Sequence, residues 1–105
     1  MAGPWLLVLV AGLLEIVWAL SLKASDGMTR PLPALVTVVA AAASFWALAV
    51  AMRDLPAATP YAGWVGIGAI GVAIFGILWF GEGSGALRLA GIGLIVAGIV
   101  ALKLA

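Results

Sequence analysis

One acid stands alone in the first apolar stretch. Between Pro4 and Leu22 the only ionisable side chain is Glu15, with Trp18 three residues later. On a helix these two share a face, and Gly12, one turn earlier, leaves a gap beside the carboxylate. A charge at the centre of a membrane-spanning helix costs roughly 2.5–3.5 kcal/mol on insertion scales. The carboxylate therefore either keeps its proton or finds a cation. A site that can do either, but not both at once, has the outline of a proton–cation exchanger. The plainer alternative is a neutral, hydrogen-bonded acid inside a helix bundle, but intramembrane acids are functional by default.

The remaining polar and aromatic side chains within the apolar runs are few. Among them are Ser21 in the first run, Thr37, Ser44 and Trp46 in the second, and Thr59, Tyr61, Trp64 and Trp79 in the third. Counting helical rise from one membrane surface places Glu15 roughly 16 Å deep, Trp64 roughly 13 Å, Ser44 roughly 12 Å and Tyr61 roughly 9 Å. The four groups fall within one layer. Ser44, Tyr61 and the indole N–H groups of Trp18 and Trp64 are able to hold the carboxylate and one another in fixed geometry. The two indole faces offer cation–π contact to a delocalised cation. An interfacial aromatic belt accounts for Trp5 and Trp79 but not for Trp18 and Trp64, which lie too deep for headgroups. No nucleophile–base pair accompanies them, so catalysis is not expected.

Such a layer needs helices that cross a bilayer, and the composition supplies them. The 105 residues are 67% hydrophobic and 9% charged, with a mean hydropathy of +1.34, whereas soluble domains carry about 25% charged residues. The chain belongs with membrane proteins. Five basic residues scattered singly, at a net charge of +1, make no nucleic-acid patch. Cysteine and histidine are both absent, which removes disulfides, thiolate metal sites and the commonest metal ligand. No metal and no cofactor is expected.

Four apolar runs reach the roughly 20 residues that a span requires. They are placed at 4–22, 32–52, 57–80 and 87–104, giving an all-α membrane protein with one four-helix domain over 1–105. The first run is expected to be retained: it lacks a positive leader, contains Glu15 and runs into Lys23 without a small-residue cleavage site. Asp26-Gly27 signals a turn, Pro31 a helix start, and the other connections lie at Arg53–Pro56 and Gly81–Gly85. Connections this short make successive helices antiparallel neighbours. Lys23, Arg30 and Arg88 then lie on one side and Arg53 and Lys103 on the other. Because Lys/Arg asymmetry sets orientation, so small a bias predicts insertion both ways round.

The third run is glycine-rich, and Gly66 and Gly68 mark either a hinge or a place of close helix approach. The fourth carries small residues at Ala86, Ala90, Gly93, Ala97 and Ala101, spaced three or four apart. That stripe suits helix–helix contact in lipid, and Ala90, Gly93, Ala97 and Ala101 are expected to form a subunit contact.

With these residues in view, the chain resembles the small multidrug resistance family over essentially its whole length. The matching stretches are Glu15, Lys23-Ala24-Ser25-Asp26-Gly27-Met28-Thr29-Arg30, Ala43-Ser44-Phe45-Trp46 and Tyr61-Ala62-Gly63-Trp64-Val65-Gly66-Ile67-Gly68. Trp18 beside Glu15 is similar to the guanidinium-exporter subtype, since the drug-exporting members usually have a small residue there. The resemblance implies an antiparallel homodimer in the inner (plasma) membrane, with a pairing to a non-identical homologue left open. It also implies two copies of Glu15 in one site and exchange of protons for guanidinium-type cations. Carried over by position, that site is Gly12, Glu15, Trp18, Ser44, Tyr61 and Trp64. Pro60 and Gly63 depart from the family pattern, and Pro60 requires the third helix to begin just before it.

Export of guanidinium and small substituted guanidinium ions is therefore expected. The rivals are export of quaternary ammonium or other hydrophobic cations and, in another class, a proton-carrying or purely structural membrane subunit.

Overall fold

A computed structural model describes residues 2–83 and 85–105. Its helices are α1 (Ala2–Ala24), α2 (Pro31–Ala51), α3 (Ala58–Phe80) and α4 (Ala86–Leu104). All four are long and apolar enough to cross a membrane, and no strand occurs among the described residues. The spans agree with those expected to within a few residues at each end.

The sequence explains where each helix stops. After α1 the chain wraps around Ser25, which is fully buried. Its hydroxyl donates to the Leu22 carbonyl at 2.6 Å and accepts the Met28 N–H at 2.9 Å. Asp26, Gly27 and Met28 all take positive φ, so the Asp26-Gly27 signal marks a tight left-handed turn. Pro31 opens α2, where its missing N–H costs no hydrogen bond. Pro60 sits in the first turn of α3, as its ring demands. Gly81 ends α3 at φ 66°, a conformation that glycine adopts without a Cβ clash.

The packing is that of a membrane bundle. Large apolar side chains such as Leu6, Leu32, Leu78 and Leu94 point outward, while Ala11, Ala40, Ala47, Ala51 and Ser44 are buried. Lipid is as apolar as leucine, so helices associate through small residues that let backbones approach. α1 packs on both α2 and α3, and α4 packs on α3. The glycines of α3 supply much of that approach. A Cβ at Gly71 would run into Ile16 of α1, and one at Gly66 would meet Ile99 at 2.6 Å. α3 runs unbroken through Gly66 and Gly68; both serve close approach here.

Candidate functional site

Two groups of side chains lie side by side at mid-helix. The first is a buried relay from α3 through α2 to α1. The Trp64 indole N–H donates to Ser44 Oγ at 2.9 Å, and the Ser44 hydroxyl donates to the Ala11 carbonyl at 2.7 Å. Trp64 and Ser44 are both buried, within a cluster of Ala11, Ala47 and Leu48 against which Trp18 packs. Every proton in this relay is used to join helices. The expected hydrogen bond from Ser44 or Trp64 to the carboxylate is therefore not made within one chain. Tyr61 lies tilted against Trp64 with ring centroids 5.6 Å apart and is largely exposed.

The second group is Glu15 and Trp18 on α1. They line a cleft of about 250 Å³ whose other walls are Ala19, Val65, Gly68, Ala69 and Val72. Glu15 Oε1 and Trp18 Nε1 are each buried without a hydrogen-bond partner among the described residues. A buried acceptor and a buried donor left unmet in one cleft are costly, and native proteins rarely keep such atoms without a use. Trp18 was expected to orient Glu15 through its N–H; that bond is not formed. The glycine that makes room for the carboxylate also differs from expectation. Gly12 packs against Ile67, whereas a Cβ on Gly68 would occupy the space of the Glu15 carboxylate.

Phe45 joins the two groups. Its ring lies 6.4 Å from Trp18 and 5.3 Å from Trp64, centroid to centroid, completing an aromatic row from Trp18 to Tyr61. The aromatic pair Phe45-Trp46 signals it in sequence, but only the packing of α2 against α1 shows which ring lies along Trp18 and Trp64. A larger groove, about 490 Å³, lies elsewhere, lined by Trp5, Leu6, Leu9, Ile67, Ile99 and Lys103. It contains no acid, so size alone does not mark a cation site.

Electrostatics and shape together limit what the cleft can take. It offers the Glu15 carboxylate as acceptor, the Trp18 indole N–H as donor and the flat Trp18 ring, with small and apolar residues elsewhere. A small planar cation answers the carboxylate and lies against the indole face, while the indole N–H, a donor that a cation cannot satisfy, is left for an acceptor.

The sequence model for Small Multidrug Resistance protein matches residues 3–95. The chain belongs to that family. Among curated relatives, a guanidinium exporter of Yersinia pseudotuberculosis is 52% identical over 101 residues, covering 96% of this chain and 97% of that one. A guanidinium exporter of Citrobacter freundii is 53% identical over 100 residues, covering 95% of each. One from Proteus vulgaris is 52% identical over 101 residues, covering 96% of this chain and 97% of its own. Family membership and four spans make this a multi-pass membrane protein of a transporter family.

The relay in this small multidrug resistance chain makes a direct prediction. Ser44→Ala should strand the buried Trp64 N–H and lower stability by about 1–3 kcal/mol. Thermal unfolding in detergent, followed by tryptophan fluorescence, measures it. An unchanged midpoint would mean that the relay contributes nothing.

Proposed function

We propose that this chain is a proton-coupled antiporter that exports guanidinium and small substituted guanidinium ions, and not an enzyme. It works in the inner (plasma) membrane as an antiparallel pair of copies, each a single four-helix domain over 1–105. The observation that carries this is the cleft in which Glu15 Oε1 and Trp18 Nε1 lie buried and unpartnered beside Gly68. The names of the relatives favour guanidinium as the ion.

Glu15 binds either the proton or the cation. Because linkage is reciprocal, a cation that displaces the proton is itself displaced when the proton returns. Two copies of Glu15 in one cavity would titrate as a pair. Trp18 supplies the planar wall at Glu15, Trp64 and Tyr61 extend the aromatic row beside it, Ser44 fixes Trp64, and Gly12 lets α3 approach α1. Gly66 and Gly68 are the positions at which α3 would flex, since neither carries a side chain to resist it.

The pairing of copies is supported by α4. Ala90, Gly93, Ala97 and Ala101 are exposed, while Ile92, Ile95 and Ile99 are partly buried and Ile95 and Ile99 reach Gly66 of α3. The small-residue stripe is thus left open for a second subunit. Gly93→Leu should reduce the dimeric fraction in detergent several-fold without preventing membrane insertion, as read by light scattering. A fully dimeric variant would move the contact to another helix. The near-balance of basic residues supports insertion in both orientations.

Uptake into proteoliposomes driven by a pH gradient tests the assignment. Guanidinium should accumulate against its gradient, and tetraalkylammonium ions should not. Accumulation of tetraalkylammonium alone would transfer the chain to the drug-cation exporters, and no gradient-driven uptake of either would remove it from this mode of transport.

A further inference from the structure

The cleft at Glu15 is lined on α1 and α3 by two facing stripes, and the stripes run on beyond it toward one end of the molecule. On α1 the stripe is Glu15, Ala19 and Lys23, each four residues from the last. On α3 it is Gly68, Val72 and Gly76 at the same spacing, so each set keeps to one face of its helix. Gly68 faces Glu15, and Ala19 and Val72 line the same cleft one turn further along. The third pair, Lys23 and Gly76, is bridged by a residue from neither helix. Glu82, in the loop after α3, folds back so that its carboxylate lies over Gly76, where a Cβ would meet Oε1 at 2.6 Å. Its own N–H donates to the Gly76 carbonyl at 3.1 Å.

That carboxylate joins three helices. Lys23 Nζ donates to Glu82 Oε2 at 3.2 Å, and Arg88 Nη1 lies 3.7 Å from Oε1. Lys23 also stands 5.1 Å above the Phe80 ring. Among the described residues these are the ion pairs the structure holds, and both are at this end. Lys23 lies eight residues beyond Glu15, a rise of about 12 Å.

We propose that Glu82, held by Lys23 and Arg88, is a gate across the end of the α1–α3 groove that leads out from Glu15. This rests on the reading of Glu15 as the cation site. The closed gate caps the groove with a carboxylate and two cations, and a cation leaves by this end only when Lys23 and Glu82 part. The pairs are partly exposed, and exposed pairs are weak and salt-screened; a tie that opens in every cycle has to be weak. Gly76 is the enabling residue, since any side chain there would lift Glu82 away from Lys23.

The chain has no cysteine, so Ala19→Cys places a single thiol in the groove below the gate. Its labelling by a neutral, water-soluble maleimide should quicken at least fivefold when Glu82→Gln or Lys23→Gln is added. The charge exchange Lys23→Glu with Glu82→Lys should bring it back toward the starting rate. On the Ala19→Cys chain alone, labelling should rise with ionic strength, which reads the same tie even where Glu82→Gln does not fold. Labelling that ignores the substitutions, or is flat with salt, overturns the gate. Proton release on adding guanidinium to the chain without substitutions is measured alongside. Its absence would overturn the site reading itself, whereas its persistence with unchanged labelling removes only the gate.

Discussion

Replacing Glu15 with glutamine should abolish guanidinium binding and gradient-driven uptake, reducing both to the level of empty liposomes. Glutamine keeps the shape and the fit against Gly68 but removes the charge that answers a cation and the group that takes a proton. Glu15→Asp should retain exchange with a shifted pH dependence, because the carboxylate survives with a shorter reach. The sign follows from competition: protonation removes the counter-charge, so cation affinity falls as pH drops through the apparent pKa of the site. In Glu15→Gln that pH dependence should vanish along with the binding. Isothermal titration at several pH values measures both. Guanidinium binding that persists in Glu15→Gln with its pH dependence intact would move the site elsewhere.

The second large effect is expected at Gly68. A single methyl there would occupy the space of the Glu15 carboxylate, so Gly68→Ala forces α1 and α3 apart or drives the carboxylate from the cleft. Either response should weaken guanidinium binding at least tenfold, which corresponds to about 1.4 kcal/mol. The helix itself should tolerate the change, since alanine is the better helix former by about 1 kcal/mol. The contrast separates site damage from loss of the helices: circular dichroism should hold while affinity is lost. Gly98→Ala, on α4, where a Cβ would meet nothing within 4 Å, is the matched control and should leave affinity unchanged. Equal affinities in the two variants would mean that Gly68 makes no room that the site needs.

Gly68 also shows what could and could not be read from the chain. The four spans were legible because 20 consecutive apolar residues have few other uses, and Pro31, Pro60 and Asp26-Gly27 carry their own backbone geometry. Glu15 was legible because an intramembrane acid is expensive. Gly68 was visible only as half of a glycine pair, since its partner on α1 depends on the register between two helices. In a membrane that register leaves a faint trace, because the lipid-facing and buried faces are both apolar and the helical period is muted. The same reason hid Phe45, whose ring joins Trp18 to Trp64, and the return of Glu82 to Lys23 across 59 residues. Ser44 and Trp64 were expected to hold the carboxylate and one another; the bond between them is made, and the one to Glu15 is not. A hydroxyl has a single proton, and Ser44 gives it to the Ala11 carbonyl rather than to Glu15.

Proton release tests the exchange at Glu15 most directly. Guanidinium is added to detergent-solubilised protein in weak buffer, and the protons released are counted against the cation bound. The shared-site account predicts release that saturates with binding, reaches its largest value below the apparent pKa of the site, falls away well above it and is absent from Glu15→Gln. Guanidinium bound at low pH without a matching release of protons would contradict it.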